Sequence, residues 1–328
     1  MLRQILVIQT AFIGDAILAT CLPEAIHRHD SAIQIDILVR KGNEALFANH
    51  PYIRNVIVWD KKASKYRNLL RLLQSIRKTQ YEAVLNCQRF AASGFLTAFS
   101  KAKFRIGFEK NPFAFLFNHR IKHRIEPGVH ECTRNGELLK PLHIRPYERP
   151  KLYPPQASPI ETQNPYICIS PASVWFTKQW PLEKWIEFCN LLPTHIQVYL
   201  LGGKGDSAIC ETLIQKSTHK LFTNLCGKLN LLESAALMRN AQMNYVNDSA
   251  PMHLASAVNA SVCAVYCSTI PDFGFGPLSD NAHCVETSEN LACRPCGLHG
   301  KKACPEGHFA CATSISATRL VTLLQEPK

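Results

Sequence analysis

The sequence predicts an α/β protein of two domains, each built from strand–helix repeats around a parallel sheet. Three observations carry this. Short apolar runs at 5–8, 33–39, 56–59 and 83–87, and again at 166–170, 196–201 and 262–266, alternate with longer stretches of helical spacing. Buried parallel strands joined by crossover helices have this pattern. The length of 328 residues with 46% hydrophobic composition suffices for two cores, each of roughly 150 residues. Residues 146–165 hold six prolines (Pro146, Pro150, Pro154, Pro155, Pro159 and Pro165) and little periodicity, which marks a linker. The expected division is a domain over 1–150, a linker over 151–165 and a second domain over 166–328.

In chain order, the strand at 5–8 leads through Gln9-Thr-Ala-Phe-Ile-Gly-Asp15 into a helix expected from Ala16 to about His29. Gly14 would permit a close turn, and Asp15 stands at the helix start, where a cap is the ordinary role of a lone aspartate. The G-x-G-x-x-G dinucleotide fingerprint is missing. Residues 61–78 place Leu69, Leu70, Leu72, Leu73 and Ile76 along one face, with seven basic residues over the remainder. Such a helix either packs on its own sheet or lies on an anionic membrane. The aromatic and basic stretch 104–124 lacks clear periodicity and reads as loop-rich and partner-facing.

After the linker a buried strand restarts at Tyr166, and a loop carrying Lys178 runs into a helix at Pro181. Gly202-Gly-Lys-Gly-Asp206 reads as a strand–helix turn. It lacks the spacing of a Walker loop. Helix 229–240 follows. Next comes Tyr245-Val-Asn-Asp-Ser-Ala-Pro-Met-His253, a strand end running into a helix start. Asp248 or Ser249 can cap that helix, and Pro251 sits where a missing N–H costs nothing. Unpaired backbone donors at the positive end of a helix dipole suit a phosphate, and Lys178 can reach the same anion; an ordinary capped turn is the other reading. In the tail, Cys293-Arg-Pro-Cys296 with Cys304 and Cys311 has the chemistry of a four-thiolate zinc site or of reduced thiols, since the distal spacing is not a second C-x-x-C. A last amphipathic helix is expected from Thr313 to Leu324.

Charge and cysteine are both lopsided. Residues 1–155 hold 25 basic against 12 acidic side chains, and residues 156–328 hold 12 against 13. The excess faces something acidic, whether nucleic acid, an anionic membrane surface or an acidic glycan, or else serves solubility. Of the 14 cysteines, eleven lie in the second half. The N-terminus runs straight into a strand pattern, unlike a signal peptide, so a cytoplasmic protein is expected, with Cys168, Cys189, Cys210 and Cys263 as buried core residues.

Four stretches together resemble glycosyltransferase family 9, the bacterial heptosyltransferases of the lipopolysaccharide inner core. They are Ile5-Leu-Val-Ile-Gln-Thr-Ala-Phe-Ile-Gly-Asp-Ala-Ile-Leu18, Lys178-Gln-Trp-Pro181, Tyr245 to Ala257, and the Cys-Arg-Pro-Cys tail after Phe275-Gly-Pro277. The resemblance implies a GT-B fold, two Rossmann-like domains facing across a cleft. It implies ADP-heptose as donor, bound by the second domain, and an anionic lipopolysaccharide core as acceptor, presented by the basic first domain with Thr10 and Gly14 on the acceptor side. Asp15 would be the general base of an inverting transfer. Lys178 would neutralise the departing diphosphate with the backbone donors near Ser249 and Ala250. Asp248, Met252 and His253 would belong to the same donor site, Ser173 and Val174 would line its loop, and Lys204 and Leu229 would lie close to the nucleoside. No metal or other cofactor is implied for transfer.

Peripheral contact with the cytoplasmic face of the inner membrane follows from such an acceptor, and nucleic acid is not expected. Two departures from the family pattern stand out: Ala250 where glycine is usual, and Cys267-Ser-Thr-Ile-Pro-Asp272 where Gly-Pro-Thr is usual. A methyl at 250 narrows the backbone approach to a phosphate. Another nucleotide sugar, a protein acceptor, or a catalytically silent GT-B binding protein are the competing expectations.

Overall fold

A computed structural model describes residues 2–61, 65–147, 149–162 and 165–325. The chain divides into two compact units, Met1–Tyr153 and Pro154–Lys328.

In the first unit, β1 (Gln4–Gln9) is followed by α1 (Ile13–Leu18), α2 (Cys21–His29), β2 (Gln34–Arg40), β3 (Ile53–Trp59) and α3 (Lys65–Thr79). Next come β4 (Ala83–Asn86), α4 (Ala91–Ala98), β5 (Phe104–Phe108), β6 (His119–Ile121) and α5 (Glu131–Gly136). The six strands pair in parallel in the order β3-β2-β1-β4-β5-β6. This is the doubly wound order, whose switch point lies between β1 and β4. Leu6, Ile8, Leu38 and Val84 pack against Leu73 and Ile76 of α3 and Leu96 of α4. The basic helix therefore packs its apolar stripe on its own sheet. Leu70 stays outside that stripe, 54% exposed. Lys62, Ala63 and Ser64, at the head of that basic stretch, lie outside the described residues.

Two sequence expectations change here. The helix expected over 16–29 is two helices broken at Ala19–Thr20, because Pro23 has no N–H and clashes with a preceding turn, so it is accommodated in the first turn of a new helix. The Thr20 hydroxyl donates to the Ile17 carbonyl at 2.6 Å and accepts from the Lys151 amide at 2.8 Å, anchoring the segment that leaves this unit. The stretch 104–124, expected to be loop-rich, supplies β5 and the edge strand β6.

The second unit repeats the plan: β7 (Tyr166–Ser170), α6 (Leu182–Asn190), β8 (Gln197–Leu200), α7 (Ser207–Lys216), β9 (Phe222–Asn224), α8 (Leu231–Arg239) and β10 (Asn244–Asn247). It ends with α9 (Ala250–Ala257), β11 (Val262–Tyr266), β12 (Ala282–Glu286), α10 (Ala310–Thr313) and α11 (Ala317–Gln325). Its parallel sheet runs β12-β11-β10-β7-β8-β9, the same doubly wound order with its switch point between β7 and β10. Ile167, Ile169, Val198, Tyr245 and Val265 pack against Trp185 and Phe188 of α6. Trp180 meets Trp185 edge-on at 4.9 Å. The Tyr245 hydroxyl donates to the Leu320 carbonyl of α11 at 3.0 Å, which ties the chain's last helix to β10. Cys168, Cys189, Cys210 and Cys263 are buried free thiols. Among the described residues, no helix is long and apolar enough to cross a membrane.

Candidate functional site

Each sheet's switch point carries chemically equipped residues. In the second unit, β7 and β10 end side by side. The loop after β7 carries Ser173, Val174 and Lys178, and the turn after β10 carries Asp248 and Ser249 at the start of α9. Asn247 joins the two. Its side-chain amide donates to the Pro171 carbonyl at 2.8 Å, and its carbonyl oxygen accepts from the Trp180 amide at 2.9 Å. Lys178, on a 3-10 turn over Phe176–Lys178, places Nζ 2.6 Å from Asp248 Oδ2. The Thr269 hydroxyl donates to the same oxygen at 2.6 Å. Both ends of the pair are largely buried, so the ammonium is held at the strand end.

The capping expectation is corrected. Neither Asp248 nor Ser249 caps α9, since the Asp248 carboxylate is engaged by Lys178 and Thr269. Ser249 occupies the N-cap position without a side-chain cap and donates back to the Asn247 carbonyl at 3.4 Å. The helix start keeps its first amides clear of side-chain caps, with Pro251 in the first turn and a lysine beside it, an arrangement that favours an anion. Ala250 is the first helical residue. His253 lies one turn in and is buried. Met252 is fully buried, and its sulfur accepts from the Tyr266 hydroxyl at 3.3 Å, so its side chain packs in the core beneath the helix start.

Lys204 and Leu229 lie on the loops after β8 and β9, at the same carboxyl edge. Those loops touch: the Gly227 amide donates to the Gly202 carbonyl at 2.9 Å. A Cβ at Gly227, whose φ is +71°, would stand 2.8 Å from Lys204 Cα. The Asp206 carboxylate accepts from the Gly203 amide at 2.8 Å, fixing the turn with Lys204 exposed at its tip.

The loop bearing Lys178 is braced from the tail. Thr177 donates its amide to the Lys301 carbonyl (3.1 Å), and its hydroxyl accepts from the Lys301 amide (2.8 Å). The Ser268 hydroxyl donates to the Thr177 hydroxyl at 3.0 Å. Gly300 packs under the loop, where a Cβ would meet Trp175 Cβ at 2.4 Å and Lys178 Cγ at 2.9 Å. Arg294 donates to the Cys267 carbonyl at 2.7 Å and to the Thr269 carbonyl at 2.8 Å, and pairs with Glu286 at 2.6 Å. Thus the segment that departs from the family pattern, Cys267 to Asp272, supplies two brace hydroxyls, and the Cys-Arg-Pro-Cys run acts through its arginine.

The four-thiolate expectation is corrected too. Among the described residues, no group of three or more His, Cys, Asp or Glu side chains is placed to hold a metal ion. Cys293 Sγ lies 3.9 Å from His308 Nε2, Cys296 turns to the Cys293 carbonyl at 3.3 Å, and Cys311 is buried in the core.

In the first unit, Asp15 stands in the first turn of α1, directly after β1. The backbone at Phe12 and Asp15 favours its charged form. The carboxyl is nevertheless pushed up to about 6, chiefly by burial and then by the negative charge of Glu131, against which that backbone and Arg89 pull down. Glu131, at the start of α5, is kept ionised by His123 and Arg134, whose nitrogens lie 3.4 and 2.7 Å from its Oε2. Sequence reading missed Glu131, Arg294 and Thr269, whose roles arise only from tertiary contact. Thr10 is buried at the strand end, its carbonyl accepting from Lys61 Nζ at 2.6 Å. Gly14 is helical, so it does not make the turn expected of it.

Two doubly wound parallel sheets, each with polar and basic groups at its switch point, make up the GT-B fold. The glycosyltransferase family 9 (heptosyltransferase) model matches residues 69–305, and the chain belongs to that family. Among its relatives, the lipopolysaccharide core heptosyltransferase OpsX of Haemophilus influenzae is 25% identical over 98% of this chain and 94% of its own length. Lipooligosaccharide heptosyltransferase 2 of the same organism is 26% identical, covering 87% and 89% of the two chains. The structure of ADP-heptose lps heptosyltransferase II from Escherichia coli superimposes with a TM-score of 0.80 at 20% identity over 98% and 97% of the two chains. E. coli heptosyltransferase WaaC with ADP gives 0.75 at 18% identity over 98% and 99%.

Proposed function

We propose that this glycosyltransferase moves a heptose from ADP-heptose to the inner core of lipopolysaccharide with inversion at the anomeric carbon. The observation that carries the reading is Lys178, held by Asp248 beside the uncapped start of α9 at the switch point of the second sheet. A lysine and a helix dipole there supply the positive charge that a diphosphate leaving group needs. The amides of Ser249 and Ala250 join them, Lys204 and Leu229 flank the nucleoside, and Ser173 and Val174 line the phosphate loop. Asp248 acts by positioning Lys178.

In the transfer step the acceptor hydroxyl oxygen forms the new bond to the anomeric carbon while the bond to the β-phosphate oxygen breaks. ADP departs with that electron pair, and Asp15 takes the hydroxyl proton. A carboxyl group that ionises near 6 is charged at neutral pH and more basic than an ordinary aspartate, which suits a general base. The excess of basic residues in 1–155 fits an acceptor bearing carboxylates and phosphates on a lipid, reached at the cytoplasmic face of the inner membrane.

The kinship with a lipopolysaccharide core heptosyltransferase and with an ADP-heptose lps heptosyltransferase supports this donor and acceptor. The test is a transfer assay with ADP-heptose and a heptose-free core acceptor, with product anomeric configuration read by NMR. Inverted heptosyl product that is absent with Asp15→Asn supports the reading; no product, or product retained in that variant, contradicts it.

A further inference from the structure

We propose that Phe12 and Phe90 form the platform on which the acceptor's sugar ring stacks while its hydroxyl faces Asp15. This rests on the transfer reading above and adds the residues that select the ring. β1 and β4 pair side by side, and the loop after each strand enters a helix whose N-cap is a phenylalanine, Phe12 before α1 and Phe90 before α4. Both have extended backbone and no side-chain cap. That position favours Ser, Thr, Asp or Asn, which bond the free amides of the first turn, and a phenylalanine offers those amides nothing. Nor do the rings serve the core, since Phe12 is 66% and Phe90 57% exposed. A choice that neither caps nor packs, made at both helix starts of one switch point, points to a ligand.

Both rings are held in place. The guanidinium of Arg40, at the end of β2, lies 5.1 Å from the Phe12 ring centre, and that of Arg89 lies 5.7 Å from the Phe90 ring centre. Below the rings the loops are fixed through their backbone. The Ala11 carbonyl accepts from the Asn43 side-chain amide at 3.1 Å, and the Phe90 carbonyl accepts from the Asn111 side-chain amide at 3.0 Å. Gln88 joins the two loops by donating to Gln9. The loops therefore keep their shape without the rings, and most of each ring stays open beside its arginine. Phe12 also opens the turn that carries Asp15, its carbonyl accepting from the Ala16 amide at 3.1 Å.

The chemistry around the rings selects a carbohydrate. A flat apolar face covers the C–H face of a pyranose and leaves the hydroxyls free at its edge, where Asp15 can take a proton. Polar demand remains at the end of β4, just before Phe90. Among the described residues, the buried Asn86 Nδ2 and Gln88 Oε1 have no hydrogen-bond partner. A hydroxyl both donates and accepts, so a hydroxylated ring meets that demand directly or through water. An acyl chain meets none of it. A nucleotide's base is also flat, but its diphosphate is assigned to Lys178 and the start of α9.

The experiment is binding of delipidated core oligosaccharides, one heptose-free and one carrying a single heptose, to the full chain with ADP present. Saturation-transfer NMR reads the binding, beside initial rates of transfer from ADP-heptose. Phe12→Ser and Phe90→Ser should each weaken oligosaccharide binding about tenfold and raise the acceptor KM by as much, while Phe12→Tyr and Phe90→Tyr keep both. The KM for ADP-heptose and the calorimetric affinity for ADP should match the parent. Tm should hold or rise in the serine variants, since serine caps where phenylalanine does not. Unchanged oligosaccharide affinity in both serine variants, a loss that comes with a fall in Tm and in ADP affinity, or binding of neither oligosaccharide by the parent would overturn the proposal. Ring-dependent binding in a protein that transfers no heptose would leave the platform standing and remove the transfer reading alone. Transfer with an acceptor KM unmoved by the serine variants would do the reverse.

Discussion

Asp15 keeps a carboxyl group that ionises near 6 in a fold whose neighbours, Glu131 above all, resist its charge. The unfolded chain ionises it near 3.8, so the charged form costs the folded state about 3 kcal/mol at neutral pH. The folded state holds the proton more tightly, so this cost grows as pH rises from about 4 to about 6 and is constant above. Asp15→Asn should therefore raise Tm at pH 7 and leave it nearly unchanged near pH 4, while cutting kcat by about 10²- to 10⁴-fold with ADP affinity intact. Equal stabilisation at both pH values would show that burial of the charge is not the cause. Glu131→Gln removes a negative charge from beside Asp15 and should move the acid limb of kcat/KM below its parent position near pH 6; a limb that stays put would detach Glu131 from the base. Lys178→Ala should weaken ADP binding by about ten- to hundredfold, the loss of a charge-assisted contact, and normal affinity would count against a phosphate contact. Asp15 and Lys178 drew attention in the sequence because each follows a strand within a recognisable run. Glu131 was not, because nothing local distinguishes a helix-start glutamate from a surface one.

At the scale of elements, the loop between β7 and α6 carries the proposed phosphate contact, and its shape is set from elsewhere in the chain. Asn247 rivets its ends, and Thr177, Ser268, Arg294 and Gly300 hold its middle. Gly300→Ala would drive a methyl into Trp175 Cβ and Lys178 Cγ, an overpacking cost of about 1–3 kcal/mol borne by the loop. ADP affinity should fall about tenfold by calorimetry, beside a fall in Tm of a few degrees. An unaltered affinity would mean that the tail does not position Lys178. The strand–helix alternation was readable from buried runs such as Ile5 to Ile8 and Val262 to Tyr266, which are apolar because both sheet faces are covered. Two of the edge strands, β6 and β12, were not. β6 is His119-Arg-Ile121 and β12 is Ala282-His-Cys-Val-Glu286, mixed sequences that lie at sheet edges and lack the apolar run of a central strand. The tail misled for a related reason, since its cysteines advertised metal chemistry while its structural work falls to Arg294 and Gly300.

For the whole molecule, one strand order is used twice, and the two copies have diverged in charge rather than in plan. The basic copy carries Asp15 at its switch point and the near-neutral copy carries Lys178 and the α9 start at its own. That division of charge was visible in the sequence. The central claim is a donor site that neutralises a diphosphate with Lys178 and a helix start, and calorimetric titration with ADP in EDTA, with UDP as the control, tests it most directly. The account predicts ADP binding without added metal, preferred over UDP and weakened in Lys178→Ala. Preference for UDP, or no binding of either nucleotide, would contradict it.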